Sequence, residues 1–346
     1  MHLTLGRLFV LAVSCLEISV SAAPSKPLRK ILFGSCIKQQ NPVPIFDVIN
    51  ANEPDLFIFL GDNIYGDTQD MALLKRKYDQ LGALPGFQQL RKSAPLLATW
   101  DDHDFGVNDG GANYAKREQS QRVFNDFWNE PDNSPRRKRE GIYDARMFGP
   151  MGKRVQVILL DTRYFRGELR KGERRVGGPY YPNRDKSITM LGDAQWKWLE
   201  RELRRPAEIR IIASSIQCIP EAAGQETWSN LPHERMRLFD LIGKTKAKGV
   251  VIISGDRHWS ELSAISKDVP YRIHELTSSS MNQIHGRGTP TENRFRAVKS
   301  TYHQPNFGAI LIDWNPGAAK VQLEIRDADN EIKIKQRFVI QHDQRE

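Results

Sequence analysis

Six short runs of apolar residues recur along this chain, and each ends in a cluster of polar ones. The runs are Lys30-Ile31-Leu32-Phe33, Asp55-Leu56-Phe57-Ile58-Phe59-Leu60, Pro95-Leu96-Leu97-Ala98-Thr99, Val155-Gln156-Val157-Ile158-Leu159-Leu160, Ile209-Arg210-Ile211-Ile212-Ala213 and Val250-Val251-Ile252-Ile253. Nearly continuous apolar runs of this length suit strands buried on both faces. Between them lie segments of helical spacing. Residues 193–203 open on Asp193 and carry an apolar stripe, and residues 233–242 repeat the pattern. Strand, helix and strand in alternation predict an α/β layered fold. Near the C-terminus the pattern changes to three short alternating strands over 307–314, 320–326 and 331–339. Turns at Asn315-Pro316-Gly317 and Asp327-Ala328-Asp329-Asn330 separate them, as in an antiparallel meander. No repeat, low-complexity tract or linker divides the chain, so a single domain over 28–342 is expected.

The first residues differ from the rest. Arg7 precedes an apolar stretch, Leu8-Phe9-Val10-Leu11-Ala12-Val13, and small residues follow at Ser19-Val20-Ser21-Ala22-Ala23. This reads as a signal peptide over residues 1–23, which implies a secreted or periplasmic protein. Alternatives are an N-terminal helix, or lipidation at Cys15. Formal net charge is +9, and removing 1–23 takes away one charge of each sign. Two basic runs stand out, Arg136-Arg137-Lys138-Arg139 and residues 166–175. They are either solvated loops or attractors of anionic substrates and surfaces. Nothing in the chain resembles a nucleic-acid module.

The polar residues after each run carry the functional signal. They are Gly34-Ser35-Cys36, Gly61-Asp62-Asn63-Ile64-Tyr65, Trp100-Asp101-Asp102-His103-Asp104, Asp161-Thr162-Arg163, Ser214-Ser215-Ile216-Gln217 and Ser254-Gly255-Asp256-Arg257-His258. In α/β sheets ligands bind beyond the carboxyl ends of the strands. If the runs are parallel neighbours, these side chains converge on one edge. Singly each has a plain explanation: Asp62 as a turn residue, Cys36 as a small buried hydrophobe or half of a disulfide with Cys218. Together, unpaired acidic clusters at one edge would repel, and bound cations remove that repulsion.

The motif series, in this order, resembles that of the alkaline phosphatase D (PhoD-like) branch of the metallophosphatases. The resemblance runs from about residue 30 to Asn306-Phe307-Gly308 and the strands beyond, and Gly-Asp-Asn-x-Tyr with Trp-Asp-Asp-His is its most specific part. It implies the four-layer α/β/β/α metallophosphatase sandwich and hydrolysis of phosphate mono- or diesters. It also implies one metal held by Cys36, Asp62, Tyr65 and His258, whose thiolate and phenolate suit ferric iron, and a second completed by Asp102 and Asp256 with Asp62 bridging. Gln217 or Asn108 would lie near that second site, where oxygen ligands suit calcium. The family's preceding β-sandwich domain and its C-terminal covering helix have no counterpart in this sequence, which leads to the expectation of an open site.

The chemistry expected is attack on phosphorus by a hydroxide activated between two metals. His103 would protonate the leaving oxygen, and Arg163 would clamp a non-bridging oxygen with its planar fork. The substrates expected are small-molecule or lipid phosphate esters. Two rival readings are a non-catalytic metal-bearing protein that binds anions or lipid surfaces, and a serine hydrolase. A pure binder has no need of a proton donor. The serine reading lacks a Gly-x-Ser-x-Gly elbow, and Ser278-Ser279-Ser280 does not supply one.

Overall fold

The computed structural model describes residues 26–222, 224–285 and 292–342. The expected signal peptide, with Cys15, lies outside the described residues. All six apolar runs form strands. In chain order the strands are β1 (Lys30–Gly34), β2 (Leu56–Leu60), β3 (Leu96–Thr99), β4 (Asp144–Phe148), β5 (Val155–Leu159), β6 (Arg170–Arg175), β7 (Gly178–Tyr181), β8 (Ile209–Ala213), β9 (Val250–Ser254), β10 (Glu261–Ile265), β11 (Ile273–Thr277), β12 (Asn306–Asn315), β13 (Ala318–Asp327) and β14 (Ile332–Gln341).

They make two six-stranded sheets, ordered β14-β13-β12-β1-β2-β3 and β10-β11-β9-β8-β5-β4, and a separate β6–β7 hairpin. β1, β2 and β3 are parallel, as are β5, β8, β9 and β11. The meander β12–β14 joins the first sheet through an antiparallel pairing of β12 with β1. The six runs are therefore not one set of parallel neighbours, since each sheet holds three of them. Runs buried on both faces look alike in either sheet, so periodicity cannot assign them.

Among the described residues the α-helices are α1 (Ile45–Ala51), α2 (Met71–Ala83), α3 (Pro85–Ser93), α4 (Asp102–Phe105), α5 (Arg117–Phe127), α6 (Pro135–Lys138), α7 (Gly192–Leu203) and α8 (Pro232–Lys244). Because side chains alternate along a strand, each run feeds two apolar clusters. Ile31, Phe33, Ile58 and Leu60 of the first sheet meet Val157, Leu159, Ile211 and Ile253 of the second in one cluster. Leu32, Phe57 and Phe59 point the other way, onto Phe46, Tyr78, Phe87 and Phe124 of α1, α2, α3 and α5. Ile158, Ile212 and Ile252 meet Trp196 and Leu199 of α7 and Leu238 of α8. Two sheets face to face with helices outside require this division of the core. Phe59 lies edge-on to Phe57 and Phe87 at 4.6 and 5.7 Å between ring centres, and truncating such a ring removes about 3–5 kcal/mol.

The first basic run is part of this packing and not a solvated loop. Arg136 is buried in α6, where its guanidinium donates to Ile142 O at 2.6 Å and Ala98 O at 2.8 Å and pairs with Glu130. Arg139 stacks on Tyr143 at 3.9 Å, and Arg137 pairs with Asp126 at 2.7 Å. A buried guanidinium demands such partners. In the second run Arg166 is likewise buried and pairs with Glu226, while residues 170–174 are exposed.

Candidate metal centre

The loops after the parallel strands lie against one another. Gly61 has φ 99°, and a Cβ there would sit 2.6 Å from the Asp101 amide, so only glycine lets the β2 and β3 loops touch. Asp104, fully buried in α4, fastens the same two loops. Its Oδ1 accepts from the amides of Asp101 at 2.7 Å and Asp62 at 3.2 Å, and its Oδ2 accepts from Asn63 Nδ2 at 2.6 Å and Tyr78 Oη at 3.1 Å. The Gly66 amide donates to His103 O at 3.0 Å. Four candidate ligands occupy left-handed backbone, Cys36 (φ 61°), Asp62 (49°), Asp256 (67°) and His258 (56°). Each such non-glycine conformation costs on the order of 1–3 kcal/mol and persists where the surroundings hold it, typically at functional sites.

Among the described residues candidate ligand side chains converge in three groups, one of which is Asp102, Asp109 and Glu226. Ligand atoms of Cys36, Asp62 and His258 lie within 4.8 Å of one another, and so do those of Asp62, Asp102 and His103. Asp62 is common to both of these. Tyr65 joins the Cys36 group, with its hydroxyl 2.8 Å from His258 Nε2 and 3.5 Å from Asp62 Oδ2. Cys36 Sγ is 3.5 Å from Asp62 Oδ2. Cys36 and Cys218 are both free thiols, so the disulfide alternative does not hold. His103 Nδ1 is 2.7 Å from Asp67 Oδ1, and its ring lies 4.2 Å from that of Tyr65. Tyr65, His103, Asp256 and His258 are half-buried, so a ligand can reach them.

The electrostatics fit a cation. Burial first, then Asp102, Asp101 and Asp104, hold the Asp62 carboxyl well above the carboxylate range. Burial and the Asp62 charge raise the Cys36 thiol, and burial and Cys36 raise the Tyr65 phenol. Burial and His285 push His258 down to about 3, leaving it neutral, as a metal-binding imidazole must be. Asp62 Oδ1 and His258 Nδ1 are buried without a hydrogen-bond partner. Buried orphans of this kind call for an explanation, and a multivalent cation among thiol, phenol, imidazole and carboxylates answers it. His103 differs: burial opposes its charge, but the Asp67 hydrogen bond and the Asp102 charge raise it to about 9.

Other predicted site residues lie apart. Arg163 is no phosphate clamp in this structure. It is fully buried, with Nε donating to Asp101 Oδ1 at 2.6 Å and Nη1 to Glu226 Oε1 at 2.8 Å. The acidic loops need an internal countercharge, and Arg163 supplies it. Asp256 stays outside these groups and pairs with Arg257 at 3.0 Å, although its charge acts on Cys36 and Asp62. Gln217 donates to Glu261 at 2.8 Å and Thr277 at 3.0 Å, while Asn108 is exposed.

Sequence reasoning missed Ser279, whose Oγ lies 3.1 Å from Cys36 Sγ and accepts from the His258 amide at 2.7 Å. It follows β11 in the same strand-end position as the other motifs, but His274 and Glu275 interrupt that strand's apolar pattern. Asp67 was missed, and Asp104, quoted within its motif, was given no role. Asp67 lies two residues after the Tyr65 that closes a quoted motif, so the same motifs held the signal.

Comparison with known proteins agrees with this geometry. A family model described as PhoD-like phosphatase matches residues 31–323. Among solved structures, "Structure of PhoD" aligns with TM-score 0.71 at 18% identity, covering 93% of this chain and 72% of that one. GAP50, described as the anchor in the inner membrane complex of Plasmodium, aligns with TM-score 0.60 at 12% identity, covering 92% and 91%. A dimetal phosphatase from Danio rerio aligns with TM-score 0.51 at 12% identity, covering 92% and 100%. These likenesses concern the fold, and no curated protein sequence matches the chain. With the family match spanning most of the described fold and every motif around the candidate metal centre, the chain belongs to the PhoD-like phosphatase family.

Proposed function

We propose that this protein is an exported phosphoesterase that hydrolyses phosphate mono- or diesters of small molecules or lipids at a two-cation centre. Its family makes it a metal-dependent phosphoesterase; the substrates, the cations and the residue roles are the proposal. Cys36, Asp62, Tyr65 and His258 would hold one cation, and Asp62 and Asp102, with Asp256 beside them, the other. Thiol and phenol suit ferric iron, and the carboxylates suit calcium. The observation that carries the reading is the buried Asp62, shared by two of the ligand groups and left with an unpartnered oxygen.

A pair of cations would supply Lewis acidity, offsetting charge on the phosphoryl group and lowering the pKa of a water towards neutrality. The remaining steps fall to this chain's side chains. The Asp67 hydrogen bond raises the His103 imidazole, whose Nε2 would donate a proton to the leaving oxygen. Asp67 accepts from Nδ1, which fixes the ring and favours its charged form. Arg163 holds Asp101 and Glu226 and thereby the β3 loop. The Asp67–His103 pair weighs against a non-catalytic binder, which has no use for a held proton donor. The basic, then apolar, N-terminal sequence supports export, and among the described residues no helix is long and apolar enough to cross a membrane.

The test is elemental analysis of the purified protein with turnover of a phosphomonoester, a phosphodiester and a phospholipid. Bound metal with hydrolysis of at least one ester class is expected; metal-free protein, or none hydrolysed, refutes the reading.

A further inference from the structure

The second basic run folds as the β6–β7 hairpin, which stands outside both main sheets. Arg170, Lys171 and Arg174 are exposed along β6. None of these, nor Arg175, nor the exposed Arg184 after the hairpin, pairs with a carboxylate among the described residues. Beneath the hairpin lies a cavity of about 360 Å³, lined by Arg175, Arg184 and Arg235 together with Tyr180. Its one lining carboxylate, Glu221, is already shared between Arg235 at 3.2 Å and Arg294 at 2.8 Å. The cavity thus offers guanidinium groups with no internal anion to match Arg175 and Arg184.

A chain of contacts links this cavity to the candidate centre. Tyr180 lines the cavity and also a neighbouring one of about 380 Å³ with Asn108, Asp109 and Lys171. The Tyr180 hydroxyl donates to Asp109 Oδ2, and the Asp109 amide donates to Asp102 Oδ2 at 2.7 Å. The hairpin is docked by the Tyr180 amide on Gly224 O at 3.1 Å. Glu226, two residues on, pairs with Arg163 and Arg166. One short chain of contacts therefore leads from the β3 loop to an unmatched basic cavity.

We propose that the β6–β7 hairpin and Arg184 form a second anion subsite, so that the preferred substrates carry a second phosphate some bonds away from the ester that is cleaved. This deepens the phosphoesterase reading and rests on it. Guanidinium groups bind phosphate through paired, charge-assisted hydrogen bonds. Arg175 donates to Tyr180 O at 2.6 Å and stacks on Tyr181 at 3.9 Å, but neither it nor Arg184 is neutralised by a carboxylate among the described residues, so both keep their charge for an anion.

The experiment compares straight-chain alkanediol bisphosphates of increasing length with the matching alkyl monophosphates, using the metal-loaded full chain. For at least one length the bisphosphate should show a KM lower by roughly tenfold, about one good charge-assisted contact. In a Lys171→Ala/Arg184→Ala variant, both positions being exposed, the ratio of the two KM values should return towards one. Equal KM values at every length, or a preference that survives the double substitution, overturns the subsite. Hydrolysis of neither ester would instead overturn the phosphoesterase reading. Calorimetric binding of the same pair then decides the subsite alone, with tighter bisphosphate binding supporting it and equal binding refuting it.

Discussion

Replacing Asp104 with alanine tests how the strand-end loops are held. The carboxylate is fully buried and takes four hydrogen bonds, from the amides of Asp62 and Asp101, Asn63 Nδ2 and Tyr78 Oη. Truncation leaves four donors without this partner. A buried donor left unsatisfied costs about 1–3 kcal/mol; with water entering part of the hole, about 1 kcal/mol each gives a loss of about 4 kcal/mol. Typical domains have only about 5–15 kcal/mol in total. Asp104→Asn keeps one acceptor oxygen of the same shape and should lose about half as much. The assay is urea unfolding of the metal-stripped protein, followed by two probes to check for a single transition. An Asp104→Ala loss under about 1 kcal/mol, or equal losses for both variants, would refute the claim that this carboxylate ties the two loops together.

Three further outcomes are expected. His103→Ala should retain its metals and slow alkyl esters by about 10²–10⁴-fold while slowing nitrophenyl esters less; equal loss on both, measured as kcat, counts against the proton-donor role. Protein purified without chelators should show a visible charge-transfer band that Cys36→Ser abolishes or shifts; a colourless, iron-free protein removes the iron assignment. Burial and then Arg272 push His274 down to about 4. The unfolded chain, with histidine near 6.5, therefore binds more protons between these values, and stability is lost as pH falls through that window. His274→Gln should flatten that part of the urea-midpoint profile, and an unchanged profile would show that the ring does not titrate there.

Most of the strand framework was legible because its runs are buried on both faces. Leu56–Leu60 and Val250–Ser254 are buried at every position, so their composition announces them. The C-terminal meander was legible for the opposite reason: its strands alternate and its turns carry Gly, Asn and Asp. β10 and β11 were not read, since Glu261, His274 and Glu275 break the apolar pattern. Those polar groups are buried with partners, such as Glu275 with Ser254 Oγ at 2.6 Å, and partners distant in sequence are invisible to local pattern. The site followed the same division. Cys36, Asp62, Tyr65, Asp102 and His258 share a strand-end position that sequence reveals. Whether Arg163 faces substrate or supports a loop depends on Asp101 and Glu226, 62 and 63 residues away. The left-handed backbone at Cys36, Asp62, Asp256 and His258 has no signature in the sequence either, because glycine would have been the local choice.

The central claim, that hydrolysis depends on cations held around Asp62, is tested most directly by stripping and restoring them. Turnover of nitrophenyl phosphate would be followed as chelator-treated protein is titrated with iron and calcium. Activity should vanish on stripping and return to a plateau at two cations per chain, and Asp62→Ala should recover neither metal content nor turnover. Unchanged turnover by the stripped protein, or full recovery by Asp62→Ala, would contradict the account.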